Sequence, residues 1–143
     1  MKKGIDFTGI AVVPFVHDGN GNYVVGLRTE NCRDEHYCWE PTGGGGLEVG
    51  ETTESAVIRE VREELGAVPF NVEYLGHSEV FREHEGKQTH RICFDYKAQV
   101  KSKDVKIMEP DMCAELHWCA PDSIPKPMMS RFPAFLEKYK HKL

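Results

Sequence analysis

Two hydrophobic rhythms alternate along this chain. Residues 7–16 form an almost unbroken apolar, β-branched run, which predicts a buried strand. The cluster at 17–21 contains Asp18-Gly19, a turn signal. Residues 22–27 then return as a second strand, so the pair predicts a hairpin. Residues 29–37 are polar and read as a loop, and 38–40 form a short strand that runs into Pro41 and a glycine run. Further on, 71–81 has strand-like patches interrupted at His77-Ser78-Glu79, and 82–88 reads as a charged turn. Residues 90–100 alternate most clearly, with Ile92, Phe94 and Tyr96 set against Cys93 and Asp95. A charged connection (101–111), a short strand (115–119) and a Pro-rich turn (121–127) follow.

The other rhythm is helical. Residues 52–65 contain neither Gly nor Pro. At about 100° per residue, Val57, Val61, Leu65 and Ile58 fall within about 100° of one another, which makes one apolar stripe. Gly66 is placed to cap the end. A last helix is predicted over 132–140, with Ser130 as its cap and Pro133 in its first turn. Phe132, Phe135, Leu136 and Tyr139 would share one face. Strands, helix, strands, helix predict an α/β layered domain spanning 1–143.

The first helix carries a second stripe. Glu60, Glu63 and Glu64 fall at about 300°, 240° and 340° on the same wheel. Glutamates at this spacing repel and weaken a helix unless a cation lies among them. Oxygen ligands alone suit a hard divalent ion, Mg²⁺ or Mn²⁺. Just before the helix stand Gly43, Gly44, Gly45 and Gly46. Four consecutive glycines predict a loop rather than a strand, where backbone passes close to a ligand or turns with positive φ. The loop feeds a helix N-terminus, which favours phosphate.

From Gly45 to Ala67 the chain reads GGLEVGETTESAVIREVREELGA. The spacing of Gly45, Glu51, Arg59-Glu60, Val61, Glu63-Glu64, Gly66 and Ala67 resembles the Nudix box, G-x5-E-x7-R-E-U-x-E-E-x-G-U, where U is apolar. The resemblance implies a mixed sheet between helices, the Nudix-type α/β/α sandwich. It also implies hydrolysis of a diphosphate linkage in a nucleoside diphosphate joined to a group X. By matched position, Glu60 and Glu64 would be metal ligands and Glu63 a ligand directly or through water. The Gly44 carbonyl would complete the shell, Gly45 would belong to the same loop, Arg59 would orient a glutamate, and Glu51 would support the ligands. The general base would be a box glutamate or one of Glu83, Glu85, Glu109 and Glu115, with Glu109 favoured.

Composition narrows the class. Hydrophobic residues make up 40% and charged residues 29%, as in a globular protein. The net charge of −5 speaks against a nucleic-acid polymer as partner. No apolar run approaches the ~20 residues of a membrane span, and MKKGIDFTG lacks the apolar core of a signal peptide. Five cysteines without a C-x-x-C suit reduced, cytoplasmic thiols. The oligomeric state is left open, a homodimer included.

For the substrate, the resemblance offers markers outside the box. Phe81-Arg82-Glu83 lacks the proline that ADP-ribose enzymes tend to carry, and Glu83-His84-Glu85 lacks the tyrosine of diadenosine polyphosphate enzymes. Elimination leaves a nucleoside or deoxynucleoside triphosphate, or a modified one, as in small MutT-like members. The alternatives are ADP-ribose or another nucleotide sugar, and a Nudix domain that binds a nucleotide without cleaving it. Trp39, Glu40 and residues 126–132 are candidates for holding the base, with the core reading favoured for Trp39 and Phe132.

Overall fold

The computed structural model describes residues 1–143. Its sheet comprises β1 (Gly9–His17), β2 (Tyr23–Arg28), β3 (Trp39–Pro41), β4 (Gly45–Gly46), β5 (Asn71–His84), β6 (Lys87–Gln99) and β7 (Cys113–Cys119). Its helices are α1 (Thr53–Leu65) and α2 (Phe132–Tyr139). The sheet order is β3-β2-β1-β6-β5, with β4 alongside β1 and β7 alongside β2. β1 and β6 run parallel over Gly9–His17 against Arg91–Gln99, and the other pairs are antiparallel. The sheet is therefore mixed, as expected.

Side-chain alternation along β1 builds two cores. Val12 and Val16 join Ala56, Val57, Val61 and Leu65 of α1 on one face. Phe15, between them, joins Phe132, Phe135 and Tyr139 of α2 on the other. Ile58, at the margin of the predicted stripe, is only half-buried, and Ala56 takes a core place instead. Phe15, Val57, Val61 and Phe132 are fully inaccessible. Burying each contributes about 1.5–3 kcal/mol. The result is an α/β/α sandwich.

Two local features position the site. First, β1 and β2 pair only at His17↔Tyr23. Beyond that point they part: β1 takes β4 and β6 as neighbours, while β2 takes β3 and β7. The predicted hairpin thus closes only at its turn, and a cleft opens between its strands. Second, α1 is fixed at both ends. Thr52 Oγ1 accepts the Ser55 N–H at 3.1 Å, and Gly66 (φ 70°) donates its N–H to Arg62 O at 3.0 Å.

Elsewhere the structure departs from the pattern. Gly45 and Gly46 are a strand after all, paired with Val12 and Ala11. Side chains at Gly44 and Gly45 would collide with what surrounds them: a Cβ on Gly44 would stand 2.7 Å from Val12 O, and one on Gly45 would stand 2.5 Å from the Glu60 carboxyl. β5 runs straight through His77-Ser78-Glu79, since half-exposed strand faces accept polar residues; its one irregularity is a bulge between Tyr74 and Gly76. The charged turn shrinks to Glu85-Gly86, both at positive φ (51° and 75°), the geometry of a two-residue hairpin turn. Ser130 does not cap α2. Arg131 occupies that place without a side-chain cap, and the Ser130 N–H donates to Glu35 Oε1 at 2.7 Å.

Candidate active site

The parted strands enclose a cleft of about 520 Å³. Its floor is Ala11, Val12 and Val13 of β1 and Gly26 of β2; the glycine loop and α1 form one wall. Of the residues singled out in the sequence, Glu40, Gly44, Gly45, Glu64 and Glu109 line this cleft, with Met129 and Arg131 from the 126–132 segment.

Glu64 lies under the glycine loop. Its Oε2 accepts the Gly43 N–H at 2.9 Å, with Thr42 Oγ1 at 3.5 Å. Gly43 sits at φ 95°, which turns that N–H inward. Burial pushes the Glu64 carboxyl up to about 8; the Gly43 N–H pulls it down, and Glu60, Glu109 and Glu40 push it further up. Glu109 reaches this place by way of the backbone. Lys106 and Met108 donate N–H to the Leu65 and Glu64 carbonyls at 2.9 and 3.2 Å, which carries the 105–112 segment across the end of α1. Glu83, Glu85 and Glu115 are exposed and stand outside the cleft.

The remaining box residues form an ion-pair net centred on Arg59. Its Nε and Nη2 bind the two Glu51 oxygens at 3.0 and 2.6 Å. Nη1 donates to Glu60 at 2.8 Å and to Glu63 at 3.3 Å, and Nη2 also donates to the Gly46 carbonyl at 3.0 Å. Arg59 therefore ties α1 to the glycine loop through side chain and backbone together. The hydrogen bond from Arg59, then the Glu48 N–H, hold the Glu51 carboxyl down at about 2. Glu60 is 9% exposed. Burial raises its pKa, Arg59 lowers it, and Glu63 and Glu109 raise it. Glu63 is half in solvent. Glu60 and Glu63 thus lean toward Arg59 and Glu64 leans toward Gly43, so no three acidic side chains converge closely enough to enclose an ion.

The donor set fits a hard divalent cation nonetheless. It consists of carboxylates on one helix face, one of them held protonated near neutral pH by burial among the others. The absence of a Cβ on Gly45 makes room for the Glu60 carboxyl itself, which fills the space such a Cβ would take.

Apart from Arg131, which lies in the 126–132 segment offered for holding the base, sequence reasoning missed the cationic side of the cleft. Arg28, Arg33, Arg82, Arg91 and Arg131 all line it. They come from β2, the 29–38 loop, β5, β6 and the start of α2, so no local spacing joins them. Arg28 pairs with Glu40 at 2.8 Å and with Asp34 at 3.1 Å. Trp39 and Phe132 are core residues, the reading the sequence favoured.

A family model described as the NUDIX domain matches residues 7–139. Among solved structures, the chain is similar to the MutT NUDIX hydrolase from Burkholderia pseudomallei at 26% identity, over 92% of this chain and 98% of that one, with a TM-score of 0.79. It is similar to the MutT protein from Methanosarcina mazei Go1 at 25% identity, over 94% of each chain, with a TM-score of 0.73. The NUDIX domain of Shewanella oneidensis NrtR, solved with ADP ribose, shares the fold at 16% identity, over 95% of this chain and 88% of that one, with a TM-score of 0.73.

Proposed function

Because the chain belongs to the NUDIX family and is a Nudix hydrolase, we propose that it cleaves the diphosphate linkage of a nucleoside or deoxynucleoside triphosphate, ordinary or modified. The observation that carries this is Glu64. Its carboxyl is short of a counter-charge and faces a cleft sized for one small ligand, whose other lining includes arginines suited to phosphate.

Glu60, Glu63 and Glu64, with the Gly44 carbonyl, would hold Mg²⁺ or Mn²⁺, which neutralises charge on the diphosphate and acidifies a water. Arg59 and Glu51 keep the acidic face and the glycine loop in register, so that little reorganisation accompanies substrate entry. The loop's N–H groups and the cleft arginines orient the phosphates. Glu109, at the cleft rim, takes the proton of the attacking water. That water adds to phosphorus, and the leaving phosphate departs with the electron pair of the broken P–O bond. Glu64 must lose its proton to serve as a ligand, so at limiting cation the rate should climb with pH toward about 8.

A panel of nucleoside triphosphates, their modified forms, ADP-ribose and nucleotide sugars, with Mg²⁺ and phosphate or pyrophosphate release scored, tests this. Triphosphates should be turned over best. A preference for ADP-ribose or another nucleotide sugar would replace the substrate class. Binding without turnover across the panel would remove the hydrolytic role.

A further inference from the structure

Every arginine along the cleft except one is matched by a carboxylate. Arg28 has Glu40 and Asp34. Arg33 shares Asp34 at 3.8 Å. Arg82 stands 2.6 Å from both Asp34 and Glu35. Arg131 lies 3.0 Å from the fully buried Asp95. Arg91 lines the same cleft, half-buried, and pairs with none of them.

Packing holds Arg91 where it is. It lies on β6 opposite Gly9 of β1. Its guanidinium occupies space that two glycines leave open: a Cβ on Gly4 would stand 3.2 Å from Cζ, and one on Gly9 would stand 3.1 Å from Nη1. The neighbouring His90 donates its N–H to Gly4 O at 2.9 Å, fastening the N-terminal turn beside the guanidinium.

Lys3, from that turn, comes to the same place. Its Cγ is 3.2 Å from the position a Cβ on Gly9 would take. Its Nζ is 2.8 Å from the corresponding position on Gly46 and donates to Leu47 O at 3.3 Å. Lys3 has no carboxylate partner either; the ion pairs of the glycine loop run to Arg59. Over Gly9 the Arg91 guanidinium thus meets the methylene stem of Lys3, whose ammonium lies onward over Gly46; neither cation has a carboxylate, and an anion bound beside them is attracted to both. Arg28 and Arg82 must release Asp34 before they can grip an anion, whereas Arg91 and Lys3 have no ion pair to break, Lys3 holding only the Leu47 carbonyl.

We propose that Arg91 and Lys3 form an anion subsite at the Gly9 end of the cleft. It takes the phosphate farthest from the base and so selects substrates whose X is itself a phosphate over those whose X is a neutral sugar. This rests on the nucleotide-hydrolase reading above.

The test uses the full chain with Mg²⁺ and two substrates sharing one base, a nucleoside triphosphate and a nucleoside diphosphate joined to a neutral sugar. Arg91→Gln should lower kcat/KM for the triphosphate by about 10- to 100-fold, chiefly through KM, the scale of one charge-assisted hydrogen bond. It should change the neutral-sugar substrate by less than about threefold on the same scale. Arg91→Lys should recover part of the loss. Lys3→Gln should cost less and flatten the salt dependence of triphosphate turnover. Unchanged triphosphate kinetics, or equal losses on both substrates, would overturn the subsite. A wild type that turns over neither substrate would remove the hydrolase reading instead. The subsite would then stand or fall on calorimetric triphosphate binding, weaker in Arg91→Gln if it exists and equal if it does not.

Discussion

In metal-free protein, replacing Glu64 by Gln should stabilise the fold at alkaline pH and leave it unchanged at acid pH. The Glu64 carboxyl is raised from 4.5 to about 8, first by burial and then by Glu60, Glu109 and Glu40. Each pKa unit corresponds to about 1.4 kcal/mol, so the shift amounts to roughly 5 kcal/mol at most. The folded state holds this proton more tightly than the unfolded chain does. The associated stability is therefore complete below about pH 4.5 and lost as the pH rises through about 8. Gln keeps an oxygen for the Gly43 N–H, now accepted at 2.9 Å, and carries no charge to bury. Urea unfolding in excess chelator from pH 5 to 9 measures both proteins. They should coincide near pH 5, and by pH 9 the variant should be ahead by several kcal/mol. Added Mg²⁺ should then stabilise the wild type alone, by about 2.7 kcal/mol at a hundred times its Kd. Parallel stability curves at every pH, or a variant weaker at pH 9, would refute the account of Glu64 as a charge buried without its cation.

Three further outcomes follow from the geometry. Arg59→Lys cannot span both Glu51 oxygens, Glu60 and the Gly46 carbonyl together; it should cost about 2–3 kcal/mol in urea unfolding and at least tenfold in kcat, about 1.4 kcal/mol. Glu51, held at about 2 by Arg59, supports the fold above about pH 4.5 and ceases to as the pH falls through 2. Glu51→Gln should therefore flatten the acid limb of a stability–pH curve, which acid titration by circular dichroism would show. Asp95 is inaccessible and accepts from Ser78, Arg131 and Tyr139 at 2.9, 3.0 and 2.6 Å. Asp95→Asn leaves Arg131 unmatched and should cost about 3–5 kcal/mol in thermal or urea unfolding.

The sequence made α1 legible because its message is local. A 3.6-residue period sorts Val57, Val61 and Leu65 from the glutamates, and Thr52 and Gly66 mark the ends. The alternation in β6 was legible for the same reason, since Phe94 and Tyr96 face one way and Cys93 and Asp95 the other. What depended on a partner strand was not. Gly45-Gly46 becomes a strand only because β1 lies beside it. The parting of β1 from β2, which makes the cleft, is decided by the competing neighbours β4, β6, β3 and β7. Glu109 was picked out by resemblance, yet its arrival at the cleft depends on Lys106 and Met108 hydrogen bonding to the end of α1. The arginines gather from five separate stretches, and no pattern along the chain announces that.

Glu60 gives the most direct test of the central claim, that the acidic face of α1 performs a hydrolysis rather than merely holding a nucleotide. Glu60 is nearly buried, gripped by Arg59 at 2.8 Å, and set against the one glycine that leaves it room. Gln in its place keeps the volume and removes the charge. Single-turnover cleavage of the best nucleotide of the panel, with Mg²⁺, should fall by several orders of magnitude in Glu60→Gln, while nucleotide binding measured on the same protein persists. Cleavage at the wild-type rate by that variant would contradict the claim.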